Sequence, residues 1–304
     1  MTCDASRCMH EACLANGRRE RLAIAGNLHL IHPAPGERET DSMLAKRQLP
    51  EEYRAWNKRW GAPFGYPPRI GQRFWGPFVP NNVKTKLAGP FSMQPNSQTR
   101  EYEYPWAFYA TPLVRNMRVV DVGGGLAGFQ FVLSQACDTV VNVDPGLGAE
   151  GRGWKCDQES IRHLNHLFST SVELRNCTMR DAKLEKDSFD VVYSISVMEH
   201  FVSEEFWETA RHVWDCLKIG GKFVVTVDLF LNLFPFSSRQ TNEYGVNYPV
   251  GKLIECETFS LANGDPREIY GTGVFDQERI ISNLEDYYVG VYPALAQCLV
   301  LEKR

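Results

Sequence analysis

The residues best suited to ligand chemistry are an aspartate, a set of spaced glycines and a second aspartate downstream. Gly123, Gly125 and Gly128 fit the pattern G-x-G-x-x-G, and Asp144 lies 19 positions after Gly125 (144 − 125). Glycines in such a turn let the backbone bend tightly and approach a ligand closely. An acid near the position of Asp144 is typical of a dinucleotide site. The pattern alone is therefore ambiguous, and a nicotinamide dinucleotide is one ligand that it fits.

Asp121, directly before the glycines, bears on the kind of ligand. A dinucleotide site needs the N-terminus of the following helix for a pyrophosphate, and a carboxylate beside it would repel that group. The same carboxylate suits a ligand that presents an ammonium group, as the methionine part of S-adenosylmethionine does. Asp121 therefore favours that cofactor, which carries no phosphate.

Two other side chains are candidates for a general base. His200 follows a strongly apolar run, and an imidazole can take up a proton near neutral pH. Asp228 ends a later β-branched run and is the second candidate. Glu199, beside His200, is a third possibility with the same reservation as His200, because both could instead have a structural or cofactor-side role. A helix cap or loop contact would equally explain Asp228.

The elements that position these residues alternate between strands and helices from Met117 onward. Predicted strands cover residues 118–122, 139–143, 171–177, 189–197 and 222–227, with helices over 126–137 and 157–168 and from Ser203 to the glycines at 220–221. A further helix is predicted near 277–284, and closing strands at 287–291 and 297–301. Such alternation predicts an α/β fold with a doubly wound, mostly parallel, seven-stranded Rossmann-like sheet.

The chain before this pattern is different in composition. We expect residues 1–110 to form an N-terminal arm, up to about residue 48, followed by an aromatic-rich cap, and residues 111–304 to form the main domain with an insert near 229–270. The richness of residues 50–110 in Pro and Gly argues against long regular elements there. The aromatic cap could simply pack on the main domain or could form a wall of an acceptor pocket. Cys3, Cys8 and Cys13 lack the close pair typical of structural zinc, so we expect a frayed terminus rather than a metal site.

Bulk composition excludes little but points to an ordinary enzyme of the cytoplasm. The 304-residue chain has a formal net charge of -4, without the basic excess usual in nucleic-acid binders. It has no apolar run long enough to span a membrane and no secretory signal pattern. We expect a cytoplasmic protein that binds neither nucleic acid nor a membrane, of unknown oligomeric state.

Five segments together resemble the class I S-adenosylmethionine-dependent methyltransferases, closest to the small-molecule methyltransferases. They occur in family order at residues 121–129, 141–144, 180–182, 189–201 and 217–223. The resemblance implies that Asp144 accepts the ribose hydroxyls, that Gly123 and Gly125 leave room for the methionine part, and that Asp181 of Asp181-Ala182 accepts from the adenine amine. Ser196 is counted with these cofactor-binding residues.

The resemblance also bears on the rest of the site. Tyr104 and Trp106 could close over the methionine end or simply pack in the core. No metal is expected, because the positions after the fourth strand that carry carboxylates in catechol-type enzymes hold Ser194 and Ser196. The acceptor pocket is expected from the aromatic segment and the 229–270 insert.

The function implied is methyl transfer to a small-molecule acceptor, as an O-methyltransferase of secondary metabolism or glycan decoration. An NAD(P)-dependent oxidoreductase is one alternative, which explains the glycines and Asp144 but leaves the other motifs as coincidence. A non-catalytic binding protein with a methyltransferase fold is another, because fold does not fix function.

Overall fold

A computed structural model describes residues 42–67, 79–146, 155–255, 259–290 and 293–304. Contacts divide the chain into Met1–Arg38 and Glu39–Arg304. The described residues all belong to the second unit, so the predictions for Cys3, Cys8 and Cys13 lie outside them. Within the described ranges, no helix has both the length and the apolar character needed to cross a membrane.

Seven strands form one sheet in the order β3-β2-β1-β4-β5-β7-β6. The strands are β1 (Arg118–Val122), β2 (Thr139–Val143), β3 (Val172–Arg175), β4 (Phe189–Ile195), β5 (Leu217–Phe230), β6 (Phe259–Leu261) and β7 (Ala294–Lys303). Strand β7 is antiparallel to both β5 and β6, whereas the pairs among β1 to β5 are parallel. The sheet confirms the predicted mostly parallel, Rossmann-like fold.

Helices flank the sheet and precede it. They are α1 (Glu51–Trp60), α2 (Asn81–Ala88), α3 (Arg100–Tyr109), α4 (Gly128–Ala136), α5 (Gln158–Phe168), α6 (Ser203–Cys216), α7 (Lys252–Glu255) and α8 (Gln277–Ser282). Helix α6 illustrates why they form: Phe206, Ala210 and Val213 recur at helical spacing and are buried in the core cluster shared with β4 and β5. Short 3-10 turns occupy Pro90–Ser92, Met198–His200, Pro266–Glu268 and Leu284–Asp286.

The start of β5 and the predicted strand at 287–291 differ from the sequence prediction. Strand β5 begins at Leu217, directly after α6, so the glycines at 220–221 lie within the strand span rather than closing the helix. The predicted closing strand at 287–291 is wrong: of the residues described there, Tyr287 and Val289 form only isolated bridges. The edge of the sheet is instead β6, where Phe259 pairs with Lys303. A three-residue strand has too short a pattern to be recognised locally, because its pairing partner lies far along the chain.

The aromatic segment is more regular than predicted, because it forms three helices. Tyr53 and Trp56 lie on the buried face of α1, as their spacing indicated. The ring of Trp56 contacts those of Phe91 and Phe129, with centroids 5.8 and 6.5 Å apart. Since Phe129 belongs to α4, the aromatic segment packs directly on the helix that follows the glycine turn.

Residues 43–45, predicted as part of an arm, belong to the core. Met43, Leu44 and Ala45 are buried. The backbone amide of Cys298 donates to the carbonyl of Met43 at 2.8 Å, and that of Ala45 donates to Ala296 at 2.9 Å. This segment therefore joins the sheet through β7, a long-range contact that local sequence patterns do not reveal.

Candidate active site

The glycine turn lies between β1 and α4, at the carboxyl edge of the sheet. Its first glycine, Gly123, has φ 71°, a conformation that side chains disfavour. A Cβ at Gly123 would also collide with the side chain of Val197, which follows β4. The turn is thus pressed against the end of β4, and glycine is required there for both conformation and space.

Asp144 lies at the end of β2 and holds the same turn from the other side. Its Oδ2 accepts a hydrogen bond from the amide of Gly125 at 2.8 Å, and its Oδ1 accepts from the amide of Gly146 at 2.6 Å. Burial raises the pKa of this carboxyl above its ordinary value, while the amides of Gly146 and Gly125 lower it. The two predicted cofactor-binding features, glycine turn and acid, are therefore directly joined.

Asp121 is a buried acid at the base of the turn. Only 2% of its surface is exposed, and burial, with a smaller contribution from Asp144, raises its pKa to about 8. At neutral pH the carboxyl is therefore mostly protonated. A cation placed beside it would favour the ionised form.

A cavity of about 120 Å³ opens beside Asp121. Its wall combines the glycine turn, helix α3 and the residues after β4, contributed among others by Asp121, Gly123, Gly124, Arg100, Tyr104, Ser196 and Val197. The ring of Tyr104 stacks on Phe129 with centroids 5.5 Å apart. Trp106 is buried but is not part of the cavity wall, which fits packing in the core.

Ser196 ties the end of β4 to helix α3. Its φ of 44° is unusual for a residue other than glycine. Its hydroxyl donates to Oε1 of Glu103 at 2.6 Å, and the hydroxyl of Thr226 donates to the same oxygen at 2.5 Å. The other oxygen, Oε2, accepts from Arg100 at 2.5 Å. Glu103 therefore joins α3, β4 and β5 at one point.

Glu199 and Asp228 form a pair of buried acids at the same edge. Their exposed fractions are 1% and 4%. Within the described part of the chain, neither oxygen of Glu199, nor Oδ1 of Asp228, has a hydrogen-bond partner of good geometry. Burial raises the pKa of Glu199 to about 8, and burial together with Glu199 raises that of Asp228 well above its ordinary value. Both carboxyls are therefore predominantly neutral acids near pH 7.

His200 differs from these acids because it is exposed to solvent. Its Nδ1 lies 2.6 Å from the backbone carbonyl oxygen of Tyr244 in the insert. A carbonyl oxygen can only accept, so Nδ1 carries the hydrogen and Nε2 keeps its lone pair in the neutral ring. The insert thus selects the tautomer in which Nε2 can act as a base.

The proposed adenine contact lies away from the cavity. The side chain of Asp181 is exposed and accepts from the hydroxyl of Thr178 at 2.8 Å, whereas Ala182 is buried in the core cluster that contains Val143. The structure therefore brings Asp121, Gly123 and Ser196 together around one cavity, with Asp144 and Gly125 bonded to each other beside it.

Sequence reasoning missed Arg100, Glu103 and Gln94. Gln94 Oε1 accepts from the amide of Leu126 at 2.8 Å, within the glycine turn. A signal for the other two was present, since Arg100 and Glu103 are charged residues within the strongly aromatic helix α3, where Glu103 is fully buried. Buried charges in such a setting are paired and commonly functional.

Comparison with known proteins identifies a domain within the chain. Residues 120–225 match the methyltransferase domain family. A search of curated proteins found no match. Among solved structures, an S-adenosylmethionine-dependent methyltransferase from Mesorhizobium loti is 17% identical with a TM-score of 0.44, covering 66% of this chain and 97% of that one.

A second solved structure covers more of the chain. Geranyl diphosphate C-methyltransferase from Streptomyces coelicolor A3(2), in complex with Mg²⁺, geranyl-S-thiolodiphosphate and S-adenosyl-L-homocysteine, is 11% identical with a TM-score of 0.48. The match covers 85% of this chain and 95% of that one.

The matched segment spans β1 to β5, including the glycine turn, Asp144 and the residues after β4. The chain therefore contains a methyltransferase domain of the S-adenosylmethionine-dependent type, which uses S-adenosyl-L-methionine as cofactor. The predicted class, enzyme type and cofactor are confirmed.

Proposed function

We propose that this enzyme transfers a methyl group from S-adenosyl-L-methionine to a hydroxyl oxygen of a small molecule, in secondary metabolism or glycan decoration. The observation that carries the cofactor's placement is the cavity beside Asp121, which is walled by the glycine turn and the end of β4. A buried acid whose ionisation needs a nearby cation fits the ammonium of a methionine moiety. It does not fit the pyrophosphate of NAD or NADP, which a carboxylate would repel.

The remaining cofactor contacts follow from the positions of the strands. Asp144 would accept the ribose hydroxyls while it keeps its bonds to the glycine turn, because a carboxylate has more acceptor sites than two amide bonds use. Gly123 and Gly125 would leave space for the methionine part, and Ser196 would line the same cavity. Asp181 and Ala182 are retained as the proposed adenine contacts.

The bound cofactor supplies an activated methyl group on a sulfonium, so the chain's own residues mainly orient the reactants and handle a proton. A hydroxyl acceptor that took this methyl group would have to give up its proton to a residue of the chain. His200 is suited to take that proton at Nε2, because the carbonyl of Tyr244 fixes the hydrogen on Nδ1. Asp228 is less suited at neutral pH, since burial keeps it protonated.

The acceptor wall is proposed to come mainly from the insert. Phe234 and Tyr244 are 49% and 41% exposed, and Tyr244 contacts His200 directly. The rings of the aromatic segment instead pack on α4 and the glycine turn, on the cofactor side. An apolar or sugar-like acceptor bearing a hydroxyl would suit a partly aromatic wall beside a base.

Calorimetric titration with S-adenosylhomocysteine, NAD and NADP tests the cofactor site directly. Saturable binding of S-adenosylhomocysteine alone is expected. Incubation with methyl-labelled S-adenosylmethionine and a panel of phenols, sugars and amines then tests the acceptor, with transfer to hydroxyl compounds expected. Binding of a nicotinamide dinucleotide alone would instead support the oxidoreductase. Cofactor binding without transfer to any acceptor in the panel would favour the non-catalytic alternative.

The roles of the site residues, the kind of acceptor, the cytoplasmic location, the absence of a nucleic-acid or membrane partner, and the domain boundaries stay predictions. The net charge of -4 still supports a small-molecule acceptor over a nucleic acid.

A further inference from the structure

Arg100 brings a positive charge into the wall of the cavity from outside the matched domain. It begins α3, whereas the match to the methyltransferase domain family starts at residue 120. Its Nη1 donates to Oε2 of Glu103 at 2.5 Å, and its Nη2 donates to the backbone carbonyl of Ser196 at 3.3 Å. Among the described residues that line the cavity, Arg100 is the only cation.

The side chain of Arg100 stays protonated and positively charged. Burial by itself would lower its pKa, but the Glu103 carboxylate beside it raises the pKa above the ordinary value. Glu103 is ionised in turn: burial opposes this, but Arg100 and the hydroxyls of Ser196 and Thr226 hold its pKa below the ordinary range. Arg100 is thus a permanent cation that is held in place by the anionic carboxylate of Glu103.

Glu103 does not use up the binding capacity of Arg100. Its Oε1 is occupied by the hydroxyls of Ser196 and Thr226, so only Oε2 meets the guanidinium. A guanidinium has more N–H donors than its contacts with Glu103 and Ser196 use, and it binds carboxylates with well-defined geometry. Arg100 can therefore donate hydrogen bonds to a second carboxylate that enters from the cavity side.

Asp121 shares this cavity with Arg100, and its carboxyl becomes an anion opposite this cation once a bound ammonium ionises it. One can take an ammonium and the other a carboxylate, which is the pair of groups that an α-amino acid presents.

We propose that Arg100 binds the α-carboxylate of the cofactor's methionine moiety, and that Glu103 is the positioning residue that holds Arg100 there. This inference rests on the proposed function, because it assumes that the cavity beside Asp121 receives the methionine end. It makes the segment before β1 part of the cofactor site, so residues 120–225 alone do not contain all of it.

The test compares ligands that differ only at the amino-acid end. S-adenosylhomocysteine, its decarboxylated analogue and 5′-methylthioadenosine, which lacks the whole amino-acid end, are titrated by calorimetry into the wild type. The same titrations are made with Arg100→Met, Arg100→Lys and Glu103→Gln. Arg180→Met is the matched control, because Arg180 is an exposed arginine with surface ion pairs.

Arg100→Met is expected to weaken S-adenosylhomocysteine binding by roughly 10- to 100-fold, which corresponds to the loss of one charge-assisted hydrogen bond. Binding of 5′-methylthioadenosine and of the decarboxylated analogue should change little. Arg100→Lys should restore part of the loss. Glu103→Gln should weaken only the ligand with a carboxylate, because it keeps an acceptor for Ser196 and Thr226 but releases Arg100.

Two outcomes would overturn the inference. Equal losses for all three ligands in Arg100→Met would show that Arg100 only supports the fold. Equal affinity of the wild type for S-adenosylhomocysteine and its decarboxylated analogue would show that no residue binds the carboxylate, even if the variants do not fold. If the wild type binds none of the three ligands, the proposed function itself is wrong and the inference falls with it.

Discussion

The carboxylate of Asp144 accepts a hydrogen bond from the backbone amide of Gly125 at 2.8 Å, so the end of β2 holds the turn that follows β1. The same carboxylate is the proposed partner of the ribose hydroxyls. We therefore propose two roles for Asp144, one in the shape of the turn and one in cofactor binding, so its substitution should affect both stability and cofactor affinity.

Asp144→Ala should remove both roles. We expect S-adenosylhomocysteine affinity to fall at least about 100-fold, and the free energy of unfolding to fall by about 1–3 kcal/mol, because two amides lose their acceptor. Asp144→Asn keeps one acceptor oxygen, so its affinity and its free energy of unfolding should lie between those of the wild type and Asp144→Ala. Calorimetry and urea denaturation measure the two effects, with the exposed Asp138→Asn as control. Wild-type affinity in Asp144→Ala would remove Asp144 from the cofactor site.

Asp121 should release a proton when the cofactor product binds. Its pKa is raised to about 8 by burial, so the free enzyme holds the carboxyl protonated at neutral pH. An ammonium beside it favours the ionised form, so affinity should rise as pH increases from about 6 toward 8. Titrations at about pH 7 in two buffers of different ionisation enthalpy should give different observed heats. Asp121→Asn should abolish the difference attributable to this group, and identical heats in the wild type would contradict the placement.

His200→Asn should separate catalysis from binding. The asparagine amide can still donate to the carbonyl of Tyr244, but it cannot take a proton as Nε2 does. We expect turnover with an acceptor from the screen to fall by roughly 10²–10⁴-fold, with S-adenosylhomocysteine affinity unchanged. Asp228→Asn is the comparison for the second candidate base. Unchanged turnover in His200→Asn would eliminate His200 as the base.

Glu199 should make stability depend on pH. Burial raises its folded-state pKa to about 8 from the ordinary value of 4.5, so its contribution to stability is complete below about pH 4.5 and is lost as pH rises through about 8. Asp228 is shifted in the same direction. Between about pH 5 and 9, the free energy of unfolding of Glu199→Gln should therefore fall less than that of the wild type. The two decreases should differ by more than about 1 kcal/mol.

Denaturant unfolding at several pH values measures this difference for Glu199→Gln. Glu204→Gln, on the exposed first turn of α6, is the control and should follow the wild type. Parallel pH profiles for all three proteins would mean that Glu199 is ionised in the folded state.

The fold was largely predictable where each element carries its own signal. Strands β1, β2 and β4 are short apolar runs, and α5 is capped by Asp157, whose side chain accepts from the amide of Ser160. The edge strand β6 was not predictable, because three residues have no period and their pairing with β7 is distant along the chain. The burial of Met43 against β7 was hidden for the same reason.

The candidate site likewise contains residues that the local sequence predicted and residues that it did not. The glycine turn and Asp144 are close in sequence and could be predicted, whereas Arg100 reaches the cavity through the packing of α3 on the sheet. The aromatic segment was expected to pack on the main domain, to contribute to the acceptor pocket, or both, and two of its rings pack against Phe129. Composition showed that this segment is apolar, but only tertiary contacts show which side of the site it covers.

The position of β7 has a consequence for how the chain acquires its structure during synthesis. β7 lies between β5 and β6 and also supplies the backbone partners of Met43 and Ala45. Until residues 294–303 have left the ribosome, β5 lacks one neighbour and the segment before α1 lacks its docking strand. Unpaired strand edges of this kind invite association with other chains. The nascent protein is therefore expected to stay dependent on chaperones until β7 has emerged, with Met43 and Ala45 among the last residues to dock.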